Sequence, residues 1–199
     1  MIKYLQKIID DFPEVICSTD MQILSEDQVE NFHQTVAQFL FLCMKPRMDI
    51  QTLIAFLTMR FRFTGVDEWG KLKWGMNYLK GTLYRNLYLR ADYINMIHWW
   101  VDVSYSTHWD FKSHTRAVMS MGAGAILSFS RKQKLNTGSS TEVELVGIAD
   151  ALGMMMWTTY FMEAQVYSIY NNIRFQDNHY TILLAKNSSR LAGNNSKHI

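Results

Sequence analysis

Ile94-Asn95-Met96-Ile97-His98-Trp99-Trp100-Val101-Asp102-Val103 is the stretch on which the fold turns. It is rich in β-branched and aromatic residues, which suit a pleated, half-buried surface, so it predicts a strand. Asp102 falls at the end of that strand. An acid among apolar neighbours is costly to bury unless it binds a cation or finds donors. Strand side chains alternate between faces, so Trp99 and Trp100 point opposite ways. One is expected in the core and the other against the helical half of the chain.

Toward the C-terminus the pattern continues as short elements. Residues 116–121 and 125–130 read as two more strands, separated by Gly122 and Gly124. Ser139, Ser140 and Thr141 are good N-cap residues for a helix running to about Gln165. Asn172 to Gln176 reads as a strand, Asn178 to Lys186 as a short helix, and Asn187 to Lys197 as a polar loop. The expected order is β-β-β-α-β-α.

Toward the N-terminus the period changes to that of helices. Ser25-Glu26-Asp27-Gln28 has the form of a capping box. Val29, Phe32, Val36, Phe39, Leu40 and Cys43 follow at helical spacing, and Pro46 ends the helix. Asp49 is expected to cap a second helix that buries Ile50, Leu53, Ile54 and Leu57. Asp67 opens a third, with Trp69, Leu72, Met76 and Leu79 inward and Gly81 just past its end. The chain is thus an α+β protein, with a helical segment over 1–92 and a mixed segment over 93–199.

Composition sets bounds on function. The 199 residues are 48% hydrophobic and 19% charged, which supports a packed core and argues against global disorder. A net charge of +2 neither demands nor excludes nucleic acid. Cys17 and Cys43 are far apart and lack metal-ligand spacing, as expected of reduced thiols in an intracellular protein. No secretory leader is apparent. The apolar runs Phe39–Met44 and Met154–Trp157 are too short to span a bilayer, so no membrane is expected. Thirteen methionines point to a loosely specified core or to drift under weak selection.

Three acids stand where chemistry is done: Asp102 at a strand end, Glu144 in the first turns of the long helix, and Asp177 just after a strand. Converging carboxylates suit hard divalent cations, which take oxygen ligands. Two such ions can activate a water and stabilise the leaving oxygen of a phosphodiester. Acids at these places also serve as caps and turn formers. Glu142 is a rival on the same helix, and at about 100° per residue it points nearly opposite to Glu144.

Several motifs carry a resemblance. Trp99-Trp100-Val101-Asp102-Val103-Ser104-Tyr105 resembles the first strand of the ribonuclease H domain of copia-type retrotransposon Pol polyproteins. Ser128-Phe129-Ser130-Arg131-Lys132-Gln133-Lys134 is similar to that family's S-x-S-x-K-Q strand end. Ser139-Ser140-Thr141-Glu142-Val143-Glu144-Leu145 closely resembles its S-S-T-E-A-E motif, and Gln176-Asp177-Asn178 its x-D-N motif, followed by Leu183-Leu184-Ala185-Lys186-Asn187. Lys197-His198-Ile199 resembles K-H-I. Arg47-Met48-Asp49-Ile50 and Leu79-Lys80-Gly81-Thr82 are similar to the segment between reverse transcriptase and that domain.

The resemblance implies a ribonuclease H-like mixed sheet with flanking helices and magnesium-dependent cleavage of the RNA strand of an RNA–DNA hybrid. It implies Asp102, Glu144 and Asp177 as the catalytic Mg2+ ligands of a two-metal site. Glu144 is preferred to Glu142 because Glu144, Leu145, Ala151 and Leu152 are similar to the corresponding helix of cellular ribonucleases H. Arg131, Lys132, Lys134 and Asn178 are candidate contacts to nucleic acid; a solvated basic loop is the plainer reading of the three cations. The same two readings hold for Lys71, Lys73, Lys80 and Arg85, and His198 is a candidate for proton transfer. His108 and His114 lie after the first strand without zinc spacing. The expected partners are an RNA–DNA hybrid and the rest of a Pol polyprotein, with no small-molecule cofactor. The polymerase motif Y-x-D-D is absent. The chain stops where the family continues into a fourth acid, so the resemblance implies a truncated, degenerate copy of a transposable element, either an active hydrolase or an inactive relic.

Overall fold

The computed structural model describes residues 1–13 and 24–195, with side chains through Asn187. Cys17, Lys197, His198 and Ile199 lie outside the described residues. The chain forms two compact units, Met1–Leu87 and Tyr88–Ile199.

The first unit is helical. It holds α1 (Ile2–Asp11), α2 (Glu26–Cys43), α3 (Gln51–Thr58, led by a 3-10 turn at Met48–Ile50) and α4 (Val66–Gly81). The capping box forms as read: Gln28 N–H donates to Ser25 Oγ at 3.3 Å, and Ser25 N–H to Gln28 Oε1 at 2.9 Å. Phe32, Val36, Phe39 and Leu42 of α2 pack with Ile54, Leu57, Trp69, Leu72, Met76 and Leu79. Leu40, expected inside, is 45% exposed. The buried stripe runs through Leu42 instead, three residues after Phe39 on the same face.

Two helix starts differ from expectation. Asp49 does not cap α3. It lies inside the 3-10 turn, 2.8 Å from the Arg47 guanidinium, and accepts a hydrogen bond from Tyr78 Oη at 2.7 Å. Arg47 is buried and also donates to the Thr82 carbonyl and hydroxyl, so it needs the Asp49 charge more than the helix start does. Likewise Gly65, not Asp67, is the N-cap of α4. The next acid, Glu68, reaches back to accept from Gly65 N–H at 3.2 Å. Gly81 is the last helical residue rather than the one after it.

The second unit is mixed α+β. In chain order it holds β1 (Arg90–Ala91), β2 (Met96–Ser104), β3 (His114–Ser120), β4 (Gly122–Ala123), β5 (Leu127–Lys132), α5 (Ser140–Ala164), β6 (Asn171–Phe175) and α6 (His179–Asn195). The main sheet has four strands in the order β5-β3-β2-β6. β2–β3 and β3–β5 pair antiparallel, and β2–β6 parallel. The β-β-β-α-β-α succession therefore holds for the main sheet and its helices. The unit begins ahead of residue 93 because Arg90–Ala91 pairs with Gly122–Ala123. Gly124 has φ 80°, and an added Cβ would meet the Tyr88 carbonyl oxygen, so glycine is required there.

The C-terminal loop expected over 187–197 is helical through Asn195. No proline interrupts it, and the lone Gly193 costs only about 1 kcal/mol of helix propensity.

Helix α5 begins where its sequence says. Ser139 Oγ accepts from Glu142 N–H at 3.2 Å. Val143, Gly147, Ala151 and Met155 recur every fourth residue and are buried, with the core of this unit formed by Ile97, Trp99, Val101, Ala117, Met119, Ala151 and Met155. Among the described residues α5 is the one helix long and apolar enough, by length and composition, to cross a membrane. Its fourfold stripe is accounted for by packing on the sheet.

Two glycines of α5 separate packing from propensity. A Cβ at Gly147 would meet Val103 Cγ2 at 2.4 Å, whereas one at Gly153 meets nothing within 4 Å. Gly147→Ala is expected to destabilise the protein by about 1–3 kcal/mol, because the strand cannot yield cheaply. Gly153→Ala is expected to stabilise it by about 0.5–1 kcal/mol through helix propensity alone. Denaturant melts of both variants check the opposite signs.

Candidate functional site

Ile97, Trp99 and Val101 of β2 face α5 and are buried. By alternation His98, Trp100 and Asp102 face away from α5. Trp100 stacks on Phe175 of β6, centroids 5.1 Å apart and planes 17° apart. Asp102 sits opposite Arg116 in the β2–β3 register, and Arg116 Nη2 donates to Asp102 Oδ2 at 2.6 Å. Both side chains are about half exposed.

Glu144 lies one turn into α5 and is 8% exposed. Its Oε2 accepts from Gln176 Nε2 at 3.0 Å. Burial raises its carboxyl above the usual range; the Gln176 bond opposes this, the charges of Asp177 and Asp102 add to it, and a bond from the Val103 backbone opposes it. Glu144 therefore feels both other acids. Glu142 is exposed, and its Oε2 accepts from Gly138 N–H at 2.9 Å, closing the loop before the helix. The position of Glu144 is fixed by Gln133, which is buried and donates to Thr115 Oγ1 at 3.0 Å and to the Val143 carbonyl at 3.1 Å.

Asp177 is exposed between β6 and α6. Its neighbour Asn178 is the cap of α6: Asn178 Oδ1 accepts from Thr181 N–H at 3.1 Å. Among the described residues no group of three or more His, Cys, Asp or Glu side chains is gathered closely enough to hold a metal ion. The donor types nonetheless suit a hard cation: three carboxylates, one of them raised first by its burial and further by the charges of the other two. Asp102 leaves the sheet on the face away from α5 and is held by Arg116.

The cations read as nucleic-acid contacts have varied surroundings. Arg131 lies in β5, donates to the Asp150 carbonyl, and stacks over Phe129 at 4.6 Å. Lys132 ion-pairs with Asp110 at 2.7 Å. Lys134 is exposed beyond the strand. In the helical unit Lys71 lies 3.7 Å from Glu68, Arg85 donates to Tyr78 Oη, and Lys73 and Lys80 are exposed.

A polar chain that the sequence did not signal runs through the start of β3. His108 Nε2 and His114 Nδ1 are 3.1 Å apart, and His114 Nε2 and Ser130 Oγ 2.7 Å. Both histidines are buried. The strand begins at His114 rather than at residue 116, which brings His114 into register with Lys132 and beside Ser130. No spacing rule marks such a pair, since His108 is returned to His114 by a loop closed by His108 N–H to the Lys112 carbonyl and Ser106 N–H to Ser113 Oγ.

No family model matches the chain, and no solved structure matches it significantly.

The histidine chain yields a pH dependence. Burial, and then the charges of His108 and Arg116, push His114 down to about 4. Its folded value lies below the unfolded value near 6.5, so the unfolded state takes the proton first. The stability it contributes is intact above about pH 6.5 and is lost as pH falls toward 4. Between pH 7 and pH 5 the protein is expected to lose about 2 kcal/mol from this source. His114→Asn should flatten that part of the profile in denaturant melts; an unchanged profile would exclude His114 as its origin.

Proposed function

We propose that the unit beginning at Tyr88 is a ribonuclease H-type domain of retroelement Pol descent that hydrolyses the RNA strand of RNA–DNA hybrids. The observation that carries this reading is the joint placement of the three acids. Asp102 is on the central strand β2, Asp177 follows its parallel neighbour β6, Glu144 is on the connecting helix, and both aspartates act electrostatically on Glu144. The antiparallel β5-β3-β2 run with a parallel β6 supports it, as do the motifs at each acid.

In this reading Asp102, Glu144 and Asp177 hold Mg2+. Bound magnesium supplies an activated water and stabilises the leaving oxygen. The chain's own residues set the stage. Gln133 fixes the first turn of α5, and Gln176 holds one Glu144 oxygen by a hydrogen bond. Glu144 is sheltered, while Asp177 is exposed and Asp102 is about half exposed, so a duplex would approach through the two aspartates. Lys134 is free of the strand and suited to a phosphate contact. This reading assigns the chain no polymerase role, since the Y-x-D-D motif is absent, and makes the hybrid within the cell that carries the retroelement its partner.

A second reading, a relic that binds nucleic acid weakly without cleaving it, is favoured by Asp102 facing away from α5 and by the absence of a tight three-ligand group among the described residues. Incubating the chain with labelled RNA–DNA hybrid separates the two. The enzyme reading expects RNA cleavage that requires magnesium and falls at least 100-fold in Asp102→Asn, the scale of a lost metal-site contribution. Hybrid binding without Asp102-dependent cleavage would establish the relic.

A further inference from the structure

We infer that Arg116 is an electrostatic latch on Asp102, competing with the divalent cation for the carboxylate. The inference rests on the metal reading above and adds a control to that site. Arg116 is the cross-strand partner of Asp102, and its guanidinium contacts Asp102 Oδ2 at 2.6 Å. A cation at Asp102 would share the carboxylate with a like charge already 2.6 Å from Oδ2, and that repulsion weakens its binding. The structure thus has a protein cation seated on Asp102, one of the two aspartates whose charges act on Glu144.

The magnitudes make this a latch and not a lock. Both side chains are about half exposed, and exposed pairs contribute little, a factor of up to about five in an equilibrium. A divalent cation of ordinary affinity overcomes that factor. Arginine keeps its charge at every accessible pH, so while Asp102 is ionised the latch responds to cation concentration and ionic strength. The guanidinium fork suits phosphate as well as carboxylate, so a nucleic-acid backbone passing the open face of the sheet would draw Arg116 away and free Asp102.

Calorimetric titration of the full chain with Mg2+ tests the latch without any activity measurement. Arg116→Gln is expected to bind Mg2+ about two- to fivefold more tightly than the unaltered chain, and Arg116→Lys to behave like the unaltered chain. Arg116→Met provides the same test should the glutamine variant melt below the titration temperature. Asp102→Asn should remove the binding in every background. Asp102-dependent binding that is unchanged or weakened in Arg116→Gln and Arg116→Met overturns the latch and leaves the metal reading standing. Absence of any Asp102-dependent Mg2+ binding, in the unaltered chain and in both Arg116 variants, overturns both.

Discussion

The close approach of α5 to β2 and β3 at Gly147 is the constraint on which the second unit depends. A hydrogen in place of a side chain lets the helix settle onto Val101, Val103 and Thr115. That contact buries Val143, Ala151 and Met155 on one stripe and brings the first turns of the helix over the end of β2. Gln133 secures the same turns by bonding the Val143 carbonyl. Glu144 is buried because its neighbours on the stripe are buried. A carboxyl in that position is desolvated whether or not a cation is present, and desolvation is the first cause of its raised proton affinity.

The electrostatics then follow from topology. β6 pairs parallel with β2 through Trp100 and Phe175, so the residues just past its end arrive beside the helix start. Gln176 bonds Glu144, Asn178 turns inward to cap α6, and Asp177 is left at the surface between them. Asp102 reaches the same region from the opposite face of the sheet. Its charge is compensated by Arg116, while Glu144 has only uncharged partners, the Gln176 amide and the Val103 backbone. Of the three, Glu144 alone is buried, and it bears the desolvation cost.

Much of the architecture was legible in the sequence, because local rules decided it. The Ser25 and Ser139 caps, the fourfold stripe of α5 and the β-rich run before Asp102 each declare themselves within a few residues. Misreadings arose where tertiary partners overrode local preference. Asp49 serves the buried Arg47 instead of a helix end, Glu68 displaces Asp67 at the start of α4, and α6 continues because nothing stops it. The site was legible as residue types and order, not as geometry. Strand parity sets Asp102 away from α5, and the Arg116 opposite it follows from a register that no local signal gives. The His108–His114–Ser130 chain was invisible for the same reason.

The central claim is that the three acids form one electrostatic unit centred on Glu144. It is tested most directly by following the Glu144 carboxyl resonance through a pH titration in the unaltered chain, in Asp177→Asn and in Asp102→Asn. The account predicts that Glu144 titrates above the ordinary carboxylate range, which is near 4.3, and moves down in each variant, more in Asp177→Asn, whose charge acts on it more strongly. A Glu144 that titrates at its ordinary value, or that is indifferent to both substitutions, would contradict the account.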